Sequence, residues 1–273
     1  MGTDEAAARR VLITGASSGI GRAFAERLAY DGFDLTLVAR RGDALEDLAS
    51  ALRTRRGVEA EVLVADLGQS QFLERVAARI GGEDGLDLLV NSAGFGKADA
   101  FVESDVAETS QQIEVNTLAL ARLTRAALPG MLVRGRGAVI NVASMAAFTP
   151  LPYLATYAAT KAFVVSFSES LHEELRGSGV RVQALCPGPT RTEFGRRAGV
   201  DSLPLPSFAW MQPEDVVDAS LRALERGRLI CVPGAANRLM ALATRLLPRA
   251  VVRRGATGAL LGRWYRRSRP ATD

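Results

Sequence analysis

Cysteine is nearly absent from this 273-residue chain. Cys186 and Cys231 are the only two, too few for a disulfide framework. Histidine is scarcer still. His172 stands alone, which excludes sites built on two or more imidazoles, including the common zinc hydrolases, and no metal is expected. A serine–histidine hydrolase would need only one histidine, but its G-x-S-x-G elbow is missing, because the serine-bearing turn reads Gly15-Ala-Ser-Ser-Gly19. Lysine occurs twice, at Lys97 and Lys161, among 34 basic residues. We read the excess of arginine mainly as coding bias, but it makes any functionally placed lysine easy to notice. The longest uncharged stretch, 137–160, could span a bilayer by length, but it holds Asn141, Ser144, Thr149, Pro150, Pro152 and Thr156. It reads better as a buried strand, a loop and a helix start. The first ten residues lack the apolar segment of a secretory signal, and Ala6 breaks the myristoylation pattern that Met1-Gly2 begins. The expected location is the cytoplasm.

What is present is ordinary globular composition, with 48% hydrophobic and 23% charged residues. The net charge of +4 hides a division: residues 226–273 carry eleven arginines and one acid, Asp273, so the rest of the chain is mildly acidic. Short apolar runs alternate with helical patterns: Val11–Thr14, Leu35–Ala39, Glu61–Ala65, Leu86–Val90, Ala138–Val142, Val180–Leu185 and a weaker Leu229–Val232. Such alternation predicts a doubly wound α/β fold, a parallel sheet of about seven strands covered on both faces. Right-handed crossovers would put every strand's C-terminus on one edge, where ligands bind. One domain over 1–233 is expected, followed by a basic helical extension over 234–273. Two long helices are predicted, over about 104–134 and 153–177.

The first strand runs into Thr14-Gly15-Ala16-Ser17-Ser18-Gly19-Ile20-Gly21, where a helix begins. Glycines let backbone N–H groups approach a pyrophosphate, and the helix N-terminus adds partial positive charge. The alternative is a plain tight turn, but a strand and a helix flank this one, so dinucleotide binding is the expectation. Where an acid after the second strand would favour NAD(H), this chain has Arg40-Arg41. An arginine there suits a 2′-phosphate, so NADP(H) is preferred over NAD(H), with Arg40 ahead of Arg41; otherwise both are solvated charges opening a helix. Tyr157 and Lys161 lie one helical turn apart, so the ammonium could lower the phenol's pKa. Ser144 ends the fifth strand and could donate to a substrate carbonyl oxygen.

In order and spacing these motifs resemble the short-chain dehydrogenase/reductase family in its classical form, over about residues 9–233. The resemblance implies a Rossmann fold and NADP(H)-dependent hydride transfer between nicotinamide and a carbonyl or alcohol. It makes Gly15, Ser17, Ser18, Gly19, Ile20 and Gly21 the cofactor turn, and Asp66 with Leu67 the adenine contact. Asn91-Ser92-Ala93-Gly94 is similar to the family's N-N-A-G, with serine replacing the second asparagine. Pro187, Gly188, Thr190 and Thr192 match the segment beside the nicotinamide, with Thr190 standing where valine is frequent. Asn116, Ser144, Tyr157 and Lys161 match the catalytic set. Tyr157 would be the general acid/base, Ser144 would position the oxygen, and Lys161 would lower the tyrosine pKa and hold the nicotinamide ribose. Asn116 with a water would complete a proton relay. Homo-oligomers are also implied, with the two long helices as interface. The alternative is a catalytically silent NADP(H)-binding regulatory or scaffold protein.

Other residues read as structural. His172 is expected to be solvated or capped, and Cys186 to be a small core residue. The stretch 189–212, with Phe194, Phe208 and Trp210, reads as an irregular lid or a packing flap, and a lid suggests a lipophilic carbonyl substrate. In the extension, Leu239, Met240, Leu242, Ala243, Leu246 and Leu247 form an apolar stripe, followed by Val251, Trp264 and Tyr265 among arginines. Three partners fit such a segment: the body or another subunit, a membrane surface contacted peripherally, or nucleic acid. No recognised motif accompanies the last, so nucleic acid is not expected.

Overall fold

The computed structural model describes residues 9–82, 85–200 and 207–254. Seven strands form one sheet: β1 Arg9–Thr14, β2 Phe33–Ala39, β3 Ala60–Val64, β4 Leu88–Asn91, β5 Gly137–Val142, β6 Val180–Leu185 and β7 Ile230–Cys231. All pairings are parallel and the order is β3-β2-β1-β4-β5-β6-β7. The chain reverses its winding between β1 and β4, so the C-terminal ends of these strands open a crevice where ligands of such sheets bind.

Each strand is apolar on both faces because helices cover both. Val11 and Ile13 of β1 point to one side, where Phe24 and Leu28 of α1 (Gly19–Tyr30), Leu45, Leu48 and Leu52 of α2 (Gly42–Arg56), and Val216, Val217 and Leu221 cover them. Leu12 points to the other side, under Leu73, Val76 and Ile80 of α3 (Ser70–Ile80). The period of two inside an apolar run divides the core into two layers. Burying one such side chain is worth about 1.5–3 kcal/mol.

The helix expected over 104–134 is interrupted. It consists of α4 (Val106–Ile113), a π-helical turn (Glu114–Ala119) and α5 (Leu120–Arg134). The wide turn is a local change in backbone hydrogen bonding over six residues, which an apolar pattern does not report. The second long helix is α6, Ala155–Glu174. Beyond it, Gly179 adopts φ +80°, and a Cβ there would lie 2.0 Å from the carbonyl oxygen of Gly135, so two loops meet with no room for a side chain.

Residues 189–200 and 207–212 are more ordered than expected. Thr192 caps a short helix, α7 (Glu193–Arg197), and Thr190 bridges Met211 as in a parallel pair. After α8 (Pro213–Glu225) and β7 come α9 (Ala235–Leu246) and α10 (Arg249–Arg254). Helix α9 meets the body through Asn237 and Ala241, both buried, and Asn237 packs so closely on Gly188 that a Cβ there would lie 2.5 Å from the amide. The leucine stripe faces away, with Leu239 68%, Leu242 53% and Leu246 75% exposed. The structure therefore does not pack this stripe on the body. Trp264 and Tyr265 lie outside the described residues.

Candidate active site

The turn from β1 into α1 sits at the C-terminal edge of the sheet. Gly15 adopts φ +69° and passes so close to β4's following turn that a Cβ would lie 3.0 Å from the backbone of Ala93. Thr14 fixes that approach. Its hydroxyl accepts from the N–H groups of Ser92 and Ala93, each at 3.0 Å. Thr14 was missed in the sequence, though a lone hydroxyl ending an apolar strand is a visible signal. Helix α1 begins with no side-chain cap at Ser18 and no acid in its first turn. Bare N–H groups and an uncompensated dipole fit an anionic diphosphate, so these residues suit a dinucleotide. Thr192 flanks them, its methyl 3.1 Å from where a Cβ on Gly19 would be. The segment Pro187–Thr192 thereby closes against the helix start, with Thr190 donating to the Gly188 carbonyl at 2.9 Å.

The two arginines after β2 differ. Arg40 is exposed and has no hydrogen-bond or ion-pair partner among the described residues. Arg41 reaches back to the turn, donating to the Ser17 carbonyl at 3.1 Å and the Ser17 hydroxyl at 3.3 Å, and pairs with Glu193 at 3.3 Å. Asp66 accepts from the N–H of Gly68 at 3.1 Å, which fixes its turn after β3. Leu67 and Asn91 turn their side chains inward, so either could meet a dinucleotide only through its backbone. Asn91 donates to Asn141 at 2.9 Å and Thr124 at 3.0 Å, and Asn141 donates to Ser168 at 3.0 Å, tying β4, β5, α5 and α6 together. The carboxamide oxygen of Asn91 is buried and has no protein partner.

Asn116, Ser144, Tyr157 and Lys161 come together at the same edge. Ser144 follows β5 at the start of a short 3-10 turn, its hydroxyl accepting from the Ala146 N–H at 3.1 Å and close enough to Tyr157 to pull the phenol's pKa down. Tyr157 and Lys161 occupy the first turns of α6, both buried, with the ammonium 5.8 Å from the phenol ring centroid. Lys161 Nζ donates to the Val142 carbonyl at 2.8 Å and faces Gly94, where a Cβ would lie 3.4 Å from the ammonium and 3.0 Å from Asn116 Oδ1. Asn116 lies in the π turn, a distortion common at functional sites. Burial pushes the Tyr157 phenol up to about 12, against a downward pull from Ser144, and lowers Lys161 to about 8. This differs from the sequence expectation of a lowered phenol. Burial, the larger cause, disfavours the charged phenolate more than Ser144 favours it. Tyr157 is thus protonated at neutral pH and suited to donate.

The wall beside the phenol is apolar. Phe194 packs on Tyr157 with ring centroids 5.3 Å apart, and Ala98, Ala146, Leu151, Leu154 and Val200 surround them. Gly96 makes this possible, since a Cβ there would lie 2.9 Å from the Tyr157 ring; its role had no sequence signal. Trp210 lies apart, lining a groove with Gly19 and Thr192. The side chain of Phe208 is outside the described residues. Cys186 is buried, and His172 lies in the last turn of α6, away from Tyr157 in its first. Among the described residues, no cluster of three metal-ligating side chains occurs.

Comparison with known proteins agrees with this arrangement. The family described as short chain dehydrogenase matches residues 9–201. A short-chain dehydrogenase from Sphingobium yanoikuyae, solved in complex with NADPH, is 41% identical, with a TM-score of 0.80 over 87% of this chain and 93% of that one. The bulky-bulky ketone specific alcohol dehydrogenase from Comamonas testosteroni is 35% identical, with a TM-score of 0.77 over 88% and 92%. A very-long-chain 3-oxoacyl-CoA reductase of Anas platyrhynchos is 34% identical over 215 residues, covering 77% of this chain and 67% of that protein. On sequence, fold and the convergence of these side chains, the chain belongs to the short chain dehydrogenase family.

Proposed function

We propose that this protein reduces a bulky, lipophilic ketone with NADPH, Tyr157 supplying the proton. The oxidoreductase class and NADP(H) use follow from the family and from relatives such as the NADPH-bound dehydrogenase. The observation that carries the rest is a buried, protonated phenol beside Ser144, walled by Phe194, Leu151, Leu154 and Val200. NADPH when bound supplies the hydride. Ser144 and Tyr157 hold the substrate oxygen between two hydroxyls, and Tyr157 donates its proton there as negative charge develops. Lys161, its ammonium 5.8 Å from the phenol ring centroid, is the group that restores that proton. Arg41, held on the Ser17 turn, and the unpaired Arg40 are the groups for the 2′-phosphate. The test is a substrate panel: bulky aryl or long-chain ketones should show much higher kcat/KM than small polar carbonyls, and the reverse ranking would overturn the substrate assignment.

The pH dependence follows from Lys161. Its ammonium is charged below about pH 8 and loses its proton above it, while Tyr157 remains protonated to about pH 12. The kcat for reduction should therefore be level below pH 8 and fall above it. A profile level to pH 10 would show that Lys161 does not serve as proton source.

We also infer peripheral membrane contact through α9. No helix among the described residues is long and apolar enough to cross a membrane. The outward stripe of Leu239, Met240, Leu242 and Leu246, in a segment rich in arginine, fits an interfacial helix. Leu239→Ser with Leu246→Ser should reduce sedimentation with anionic vesicles and leave turnover of a soluble ketone intact; equal sedimentation would reject the inference. Exposed apolar side chains on α4 and α5, Val106, Ile113 and Val133 among them, support a homo-oligomer formed through these helices.

A further inference from the structure

Thr160 has no part in the proton path above, yet the polar contacts around Asn116 converge on it. Asn116 is fully buried and both ends of its carboxamide are engaged. Its oxygen accepts from the N–H of Phe95 at 3.1 Å, and its nitrogen donates to the Phe95 carbonyl at 2.9 Å and to the Thr160 hydroxyl at 3.1 Å. Thr160 is 4% exposed and in turn donates to the Tyr157 carbonyl at 2.8 Å. A threonine bonded to a carbonyl in its own helix is unremarkable. The second bond, across to another element, sets this one apart.

We propose that Thr160 is a positioning residue for the reduction. Its hydroxyl clamps the π turn that carries Asn116 to the turn of α6 between Tyr157 and Lys161. A π turn gives up regular helical hydrogen bonds and needs outside anchors to keep its extra residue in place. Asn116 is that anchor, gripped by Phe95 on the sheet side and by Thr160 on the α6 side. Gly94 faces both Asn116 Oδ1 and Lys161 Nζ, so drift of the π turn changes the gap across which Lys161 is served. Packing alone does not hold such gaps. A hydrogen bond fixes direction as well as distance, because it weakens steeply as its angle closes. The hydroxyl is the part that matters, and the methyl fills space.

This inference rests on Tyr157 being the proton donor. Its test compares Thr160→Val, which keeps the shape, with Thr160→Ser, which keeps the hydroxyl, beside Tyr157→Phe. Ser220→Ala is the structural control; it removes a buried hydroxyl of α8 that donates to Gln183 of β6, away from the site. Thr160→Val should lower kcat roughly 10- to 100-fold, as a displaced catalytic group does. It should displace the alkaline limb of the pH profile and leave NADPH affinity, read from cofactor fluorescence, unchanged. Thr160→Ser should recover most of the rate, and Ser220→Ala should keep both the rate and the profile. Should the valine variant fail to fold, Thr160→Ala against Thr160→Ser asks the same question. Wild-type kcat and pH profile in the valine or alanine variant, with Tyr157→Phe inactive, would overturn this inference alone, as would a serine variant no better than valine. Full activity in Tyr157→Phe would instead overturn the reading beneath it.

Discussion

Tyr157→Phe should bind NADPH as the parent does and reduce ketones about 10²- to 10⁴-fold more slowly, the range spanned by loss of a general acid. The ring stays, so its packing against Phe194 and Gly96 is kept, and only the hydroxyl disappears. Ser144 cannot replace it. Its hydroxyl accepts from the Ala146 N–H at 3.1 Å, which ties it to its own turn. Stopped-flow NADPH oxidation under single turnover, with a separate fluorescence titration of NADPH, distinguishes lost chemistry from lost binding. Parent-like single-turnover rates would remove Tyr157 from the mechanism.

Gly21→Ala should be the most damaging small substitution in the cofactor turn. Helix propensity alone favours alanine by about 1 kcal/mol. Against this, a Cβ at Gly21 would lie 2.4 Å from the carbonyl oxygen of Gly15 and 2.7 Å from its carbonyl carbon. Both are backbone atoms of the turn itself and cannot swing aside. Relief requires α1 to withdraw from the turn, which moves the N–H groups that would face a diphosphate. Overpacking of this kind costs about 1–3 kcal/mol of stability. NADPH affinity should fall further, because the turn and helix start no longer share one geometry, whereas Gly32→Ala, next to open space but at φ +78°, should affect stability only. Calorimetric titration of NADPH into both variants checks this; equal affinity in Gly21→Ala and the parent would show that the turn adapts.

The sheet, its helices and the gathering of Asn116, Ser144, Tyr157 and Lys161 at one edge were legible because they rest on periodicity and on spacing along single elements. Each of the seven strands was placed within a few residues, since two-sided burial makes strands continuous in apolar residues. The misses share a different cause. The π turn is a change in backbone hydrogen bonding that composition does not mark, so 104–134 reads as one helix. The pairing of Arg41 with Ser17 and Glu193, and of Thr160 with Asn116, joins residues far apart in the chain, and no local pattern encodes such a partner. The phenol's direction of shift went against expectation because the sequence shows the neighbouring lysine but not the burial of both groups. The stripe on α9 was recognised correctly as apolar; which way it faces depends on Asn237 and Gly188, which the stripe does not contain.

The buried carboxamides of Asn91 and Asn141 have a consequence for assembly. They are direct neighbours in the register of β4 and β5, at the middle of the sheet. Sliding one strand by a single residue would send its amide to the opposite face and break the bond between the two, at about 1–3 kcal/mol for a buried group stranded. Purely apolar strands would tolerate that slip far better, since both faces are greasy. The asparagine pair therefore works as a key in a lock: it admits one alignment of the central strands, and with it one alignment of everything the two strand ends carry.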